Sequence, residues 1–398
     1  MVYHYHQEDS IACLRMLKES DVMKNKKVII GLSGGVDSSV AAYLLKQDGY
    51  DVEAVFMRNW DSATNRDVNG NPTVFDEVCE QEKDYQDAKA VADKLGIVLH
   101  KVDFIEDYWD RVFTYFLDEY KKNRTPNPDV LCNNEIKFKA FVDYAQKFNP
   151  DYIAMGHYAQ VDLSGEYPKL LRACDQNKDQ TYFLSQLRED QLKNVMFPIG
   201  HLDKKDVRKI ALEQDLITAN KKDSTGICFI GERHFAAFLS NYLPAQKGLM
   251  KRLDGTVMKE HFGLMNYTIG QRKGLGIGGS KDELSAWYVV GKDLKTNTLY
   301  VEPGFDHPHL YSDEAIITDV VWRGPKTDGK MTAKFRYRQK DHDVFVTWID
   351  EKTIRVAYPQ TIRAVTPGQV CAFYQGDVCV GSGFIDTVYM EKKQRQYS

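Results

Sequence analysis

Apolar positions in the first half of the chain form short runs and helical stripes that alternate. Val28-Ile29-Ile30 is a β-branched run that stops at Ser33-Gly34-Gly35, a buried strand entering a turn. Val40, Ala41, Leu44 and Leu45 then repeat with helical spacing up to Gly49. Residues 52–57 predict a second strand. Residues 58–78 are polar and too long for a simple connection, which predicts a functional or mobile loop. Tyr85, Ala88, Val91, Ala92 and Leu95 predict a helix closed by Gly96, and residues 97–102 a third strand. Trp109, Val112, Phe113, Phe116, Leu117 and Tyr120 mark another helix, with its aromatics in the core. Thr125-Pro126-Asn127-Pro128-Asp129 breaks it, because two prolines cannot continue a helix. Asn133 or Asn134 then caps a helix carrying Ile136, Phe141, Tyr144 and Phe148, and residues 152–156 form a fourth strand.

Alternating strands and helices predict an α/β fold: a parallel sheet with helices on both faces. Ligands in such sheets sit at the carboxyl ends of strands. Ser33, Met57 and Gly156-His157 all fall there. From about Asn220 the character changes. A turn-rich segment holds Cys228, residues 247–303 are glycine-rich with short strands, and from about His307 short alternating β segments predict a small barrel or sandwich. The expected division is an N-terminal extension (1–22), an α/β domain (23–232), a central domain (233–303) and a C-terminal β domain (304–398).

Composition narrows this picture. The chain has 398 residues, 43% hydrophobic and 28% charged, as expected of a soluble protein of several domains. No apolar run is long enough to span a membrane. Seven cysteines in such a length are no disulfide scaffold and read as a reduced, intracellular set. A net charge of −4 excludes a protein coated in basic charge, but a local basic face is enough to hold phosphates. The first 22 residues lack the apolar stretch of a signal peptide, and their acidic residues fit a mitochondrial presequence poorly.

The strand, glycine turn and helix start at Gly31–Ser38 form an anion site. Backbone N–H groups and the helix dipole favour negative charge, and Gly34 and Gly35 let a phosphate approach closely. Neither the Walker A nor the Gly-x-Gly-x-x-Gly pattern is present. Cys132 and Cys228 both lie in turn-rich stretches beside helix starts, where a thiol is exposed and its pKa lowered. Asp129 stands three residues before Cys132 and is a candidate proton shuttle. There is no Cys-x-x-Cys pair, so no tightly bound metal is expected.

Ser33-Gly34-Gly35-Val36-Asp37-Ser38 resembles the loop of the PP-loop ATP pyrophosphatases, which transfer AMP to a substrate oxygen. With it, in order, come Thr125-Pro126-Asn127-Pro128-Asp129-Val130-Leu131-Cys132, Met155-Gly156-His157-Tyr158-Ala159, Lys178-Asp179-Gln180-Thr181-Tyr182 and Asp223-Ser224-Thr225-Gly226-Ile227-Cys228-Phe229. This set resembles the tRNA-specific 2-thiouridylases, from about Lys26 to the last strands. The resemblance implies a Rossmann-like PP-loop domain, a small central tRNA-binding domain and a C-terminal β-barrel. It implies a cytoplasmic sulfurtransferase that uses ATP with Mg²⁺ on the wobble uridine of tRNAs for Lys, Glu and Gln. Gly31, Leu32, Ser33, Gly34, Gly35, Val36, Asp37 and Ser38 would hold ATP, and Met57 and Gly156 would line the adenosine pocket. Cys132 would be the nucleophile and Cys228 the persulfide carrier, charged by a donor or sulfur-relay protein, with a transient Cys132–Cys228 disulfide. Asn127, Pro128 and Asp129 would meet the base. His157, Lys178, Asp179, Gln180, Arg336, Tyr337 and Gln369 would contact the tRNA.

The residues themselves support the RNA reading through one feature. Lys334, Arg336, Arg338 and Lys340 alternate, so on a strand they share one face and can track a phosphate backbone. Two other readings share the loop: a PP-loop enzyme that adenylates and then admits an amine, which needs no thiols, and a non-catalytic ATP-responsive RNA adaptor.

Overall fold

In the computed structural model, residues 25–74, 76, 78–223, 226, 230, 231, 233–278 and 285–396 are described. Strands β1 (Lys27–Gly31), β2 (Asp51–Arg58), β3 (Val98–Asp103) and β4 (Tyr152–Met155) form a parallel sheet with a later short strand, Val195–Met196, in the order β3-β2-β1-β4-(195–196). Period-two alternation splits the sheet's side chains between two cores. Val28, Ile30, Ala54, Phe56 and Ala154 face α1 (Val36–Gln47) and α2 (Glu80–Leu95). Ile29, Val55, Met57, Ile153 and Met155 share the opposite core with two helical runs, α3 (105–121) and α4 (128–145).

Both of those runs contain a π-helical segment, at Trp109–Phe113 and Cys132–Ala140. The aromatics of α3 pack as core. Phe113 lies 4.9 Å from the Trp60 ring and 4.8 Å from that of Tyr242. The start of α4 differs from expectation. The helix begins at Pro128 with Asn127 as its cap, the Asn127 side chain accepting from the Asp129 N–H, rather than at Asn133 or Asn134. Proline at the first helical position needs no N–H partner and has its φ already set, so here it starts a helix. Cys132 consequently lies inside a helical run and is 0% exposed, not in the exposed turn expected.

The first part of the long loop after β2, residues 60–69, is also tied down. The Trp60 indole donates to Asp67, Arg233 pairs with the same buried carboxylate, and the Asn241 side chain donates to Asn69 O and accepts from Asn69 N.

Short strands β5 (Gln160–Asp162) and β6 (Lys169–Leu171) follow β4, and residues 195–196 count as β7. Helix α5 (Lys204–Glu213) packs on the α1 side. In the central part β8 (Gly248–Lys251), β9 (Val257–His261), β10 (Trp287–Asp293) and β11 (Thr298–Pro303) make a sheet ordered β10-β11-β8-β9. The C-terminal strands β12 (Tyr311–Trp322), β13 (Gly329–Lys334), β14 (His342–Asp350), β15 (Thr353–Arg363), β16 (Val370–Gln375) and β17 (Val378–Met390) form a barrel in the order β12-β15-β14-β13-β16-β17. It is closed by the pairing of β17 with β12, which settles barrel over sandwich. The hairpin β5–β6 of the first domain adds to its edge, Leu170 opposite Cys379. The central sheet and the barrel share one apolar core.

Strand β13 ends at Lys334 and the chain turns at residues 335–338, so the basic alternation through Lys340 is not a strand face. Lys334 faces Asp341. Arg336 turns inward to donate to the carbonyls of Ile269 and Ala364 and to the Thr366 hydroxyl.

Candidate active site

The loop after β1 is shaped by close backbone packing. Gly34 has φ +73°, and a Cβ there would stand 2.1 Å from the Asp84 carbonyl oxygen of α2. Ser38 Oγ donates to Gly35 O at 3.1 Å and lies 3.1 Å from Ser33 Oγ, while the Ser33 N–H donates to it at 3.2 Å. Ser39 Oγ donates to Gly35 O at 2.8 Å. Gly35 occupies the N-cap of α1 and supplies no side-chain acceptor. The first-turn N–H groups therefore have no capping side chain, the condition for anion binding at the start of a twelve-residue helix.

Around the loop, the carboxyl ends of three strands converge. A Cβ on Gly31 would lie 2.6 Å from Met155 Sδ and 3.2 Å from Met57 Cε. A Cβ on Gly156 would lie 2.7 Å from Ser38 N, so only glycine lets β4 pass this close to the first turn of α1. Gly31, Met57 and Gly156 thus gather with Leu32–Ser38 at the carboxyl ends of the strands, at the point where strand order reverses.

The second group centres on Cys132. The Asn133 side chain donates to Asp129 O at 2.9 Å and so locks the first turn of α4. His157 leaves β4 directly behind Gly156 and lies 7% exposed, with Lys137 Nζ 3.5 Å from its Nε2. Burial first, and the Lys137 charge second, push its pKa well below the ordinary value, so His157 is neutral. The Tyr182 hydroxyl donates to Val370 O and the Gln369 side chain to Thr125 O at 2.6 Å, which ties the barrel to the start of this segment. Cys228, expected as the second thiol, lies outside the described residues.

Models of three domain families match the chain: a tRNA methyl transferase HUP domain over residues 26–232, a tRNA methyl transferase PRC-barrel domain over 236–303 and an aminomethyltransferase β-barrel domain over 312–385. The tRNA-specific 2-thiouridylase MnmA of Acholeplasma laidlawii is 75% identical over 373 residues, 94% of this chain and 100% of that protein. Its namesakes from Phytoplasma australiense and Staphylococcus carnosus are 61% and 59% identical over 94% of the chain and 100% and 99% of theirs. The chain belongs to the tRNA-specific 2-thiouridylase family.

In this thiouridylase the other residues expected at the RNA are also engaged within the fold. Lys178 pairs with Asp223 at 2.8 Å. Asp179 is buried, accepting from Thr181 Oγ1 and Arg172. Gln180 Oε1 accepts from Tyr158 N. Tyr337 is half-buried, its ring 4.3 Å from that of Phe183. Lys178 and Gln180 stand within the network that surrounds the glycine loop after β1, while Arg336 and Gln369 brace the joints between domains.

Sequence reasoning missed that network. The Asp37 carboxylate accepts from Tyr158 Oη at 2.8 Å and from Lys204 Nζ at 2.7 Å, and Lys204 also pairs with Asp223. Lys221 Nζ donates to Gly34 O at 2.9 Å and to Asp84 and Asp87. The chain just before the Cys228 segment is thereby fastened to the glycine loop after β1 and to α2. Lys204 and Lys221 come from stretches with no motif of their own, and only folding brings them to the loop.

Burial pushes the Asp223 carboxyl up, but Lys178 and Lys204 outweigh it and hold it well below 3.8. A carboxylate depressed in the folded chain is protonated first in the unfolded one. Its stabilisation is complete above about pH 4 and is lost as pH falls from there toward the depressed folded value. Urea unfolding of wild type and Asp223→Asn will therefore differ most near neutral pH, and the difference will shrink below about pH 3.

Proposed function

We propose that this chain uses ATP to replace the C2 oxygen of the tRNA wobble uridine with sulfur. The observation that carries the reading is the uncapped start of α1 closed over Gly156 at the sheet switch point, in a chain 75% identical to a named thiouridylase. The nucleotide enters with Mg²⁺ as part of the substrate. Its phosphates lie against the N–H groups of residues 33–38, and the adenosine lies toward Met57, Gly31 and Gly156.

The uracil C2 oxygen attacks the α-phosphorus and pyrophosphate leaves, so the oxygen becomes part of an AMP leaving group. A persulfide on Cys228 supplies sulfur. Its terminal sulfur bonds to C2 as the C2–O bond breaks and AMP departs. The Cys132 thiolate then attacks the Cys228 sulfur, which leaves the thiocarbonyl on the base and a Cys132–Cys228 disulfide that a two-electron reductant reopens. In the variant order, Cys132 attacks the Cys228 persulfide first, and the sulfide released attacks C2. Asn127, Pro128 and Asp129 precede Cys132 on the same capped turn and meet the flipped base, and Asp129 shuttles the Cys132 proton. Anticodon loops offer bases already unstacked, which lowers the cost of bringing one into a buried site. The substrates are tRNAs for Lys, Glu and Gln, and a sulfur-relay protein charges Cys228 in the cytoplasm. Among the described residues no helix is long and apolar enough to cross a membrane.

Incubation with ATP, a sulfide source and unmodified tRNA will yield AMP, pyrophosphate and a wobble uridine with sulfur in place of oxygen, read by mass spectrometry of the nucleosides. ADP in place of AMP would falsify the adenylation step. AMP release with amine incorporation, or tRNA binding with no nucleotide cleavage, would replace the reading by an amide-forming or adaptor function.

A further inference from the structure

Lys292 on β10 is 1% exposed, deeper than any other lysine among the described residues. Its strand neighbours Trp287, Tyr288, Val289 and Val290 are buried apolar residues. Among the described residues no carboxylate forms an ion pair with it, and burial pushes its amine down to about 7. Among the described residues its Nζ makes one hydrogen bond, 2.8 Å to the Asn123 carbonyl. Burying an amine costs more than one such bond returns, and an apolar side chain of the same length would pack as well. The position calls for a reason other than stability.

That reason lies in what the amine holds. Asn123 is where the chain leaves α3, in a left-handed conformation with φ 57°. Four residues later Asn127 caps α4, the helix that carries Cys132. Between them each residue is held by groups from elsewhere in the chain. The Arg124 guanidinium pairs with Asp386. Thr125 N–H donates to Pro367 O at 3.0 Å, its hydroxyl meets that of Thr268 at 3.2 Å, and Gln369 donates to its carbonyl and to that of Pro126. A Cβ on Gly368 would stand 2.9 Å from Arg124 Cβ, so the barrel fits this turn with no slack.

We propose that Lys292 is a positioning residue for sulfur transfer, fixing the turn at Asn123 so that the Asn127–Cys132 segment is presented to the base only when the central sheet is docked. The inference rests on the reading of Cys132 as nucleophile. Lys292 touches no reacting atom and acts through residues 123–127.

Lys292→Met keeps the length of the stem and removes the amine. Its kcat for tRNA thiolation will fall about ten-fold or more, with KM for ATP within roughly two-fold of wild type and a Tm equal or higher. Amide hydrogen exchange will quicken in residues 123–133 and stay unchanged in 31–47. Lys292→Gln, with a donor on a shorter stem, will recover part of the lost kcat. A wild-type kcat in folded Lys292→Met, a kcat loss matched by lost folded protein, or unchanged exchange at 123–133 would each overturn the proposal. Should wild type make no thiolated tRNA, the functional reading fails and this inference with it. An active wild type matched by an equally active Lys292→Met sinks this inference alone.

Discussion

Cys132→Ser will lose tRNA thiolation by at least about 1,000-fold, ~4 kcal/mol of transition-state stabilisation, while ATP binding stays within about two-fold. A hydroxyl is nearly isosteric with the thiol but is not ionised near neutral pH and cannot open a persulfide. The site is 0% exposed within the core that also holds Val130, Ile136 and Tyr182. A buried hydroxyl costs more to desolvate than a thiol, which lowers Tm by a few degrees without unfolding the chain. Calorimetry beside the nucleoside assay separates the two effects. Thiolation persisting in Cys132→Ser would assign the nucleophile elsewhere. Thiolation persisting in Cys228→Ser with a persulfide donor present would remove the carrier role from Cys228.

Gly34→Ala will reduce AMP formation about 100-fold. Two costs coincide at this residue. A side chain at φ +73° is strained by roughly 1–2 kcal/mol. The new methyl would also meet the Asp84 backbone oxygen at 2.1 Å, against an ordinary contact of more than 3 Å. Asp84 cannot retreat freely, because Lys221 fastens its side chain to Asp87 and to the Gly34 carbonyl. The loop itself must move by about 1 Å, and a displacement of that size costs on the order of 100-fold when the groups moved bind a transferring phosphoryl group. Equilibrium ATP binding will weaken as well if, as proposed, the same N–H groups hold the ground state. Gly35→Ala is the control: its φ is not left-handed, and a Cβ there meets only Ser33 Oγ at 3.4 Å. Wild-type AMP formation in Gly34→Ala would remove this loop from the adenylation step.

The first domain was legible because its local signals agree with its packing. Val28-Ile29-Ile30 is buried on both faces, Gly96 closes α2 in a left-handed conformation, and the glycine turn stands where strand order reverses. Apart from the start of α4, the misreadings share one physical cause, contacts distant in sequence. Pro128 read as a break because a proline's neighbours do not say whether it ends one helix or begins the next. Arg336 read as exposed because a strand pattern cannot foresee carbonyls 28 and 67 residues away, at Ala364 and Ile269. The mobile alternative for the loop 58–78 arose because the partners of Asp67 and Asn69, Arg233 and Asn241, lie far along the chain. The same holds for Lys204, Lys221 and Lys292, whose partners belong to other segments. The glycine turn at residues 33–35 was legible because it carries its geometry in consecutive residues, whereas the Asn127–Cys132 segment was read as a motif with its conformation wrong.

The hairpin β5–β6 has a consequence for inheritance. It belongs to the parallel-sheet domain by sequence, yet its hydrogen-bond ladder continues that of the barrel through Leu170 and Cys379. A segment of the first domain thereby covers a strand edge of the last, and the last domain's Gln369 finishes a turn of the first. The three units are not separable modules. An exchange that joined the front of one such protein to the barrel of a distant one would leave a mismatched ladder and an unfinished turn together. Their sequences are therefore constrained to drift as one lineage.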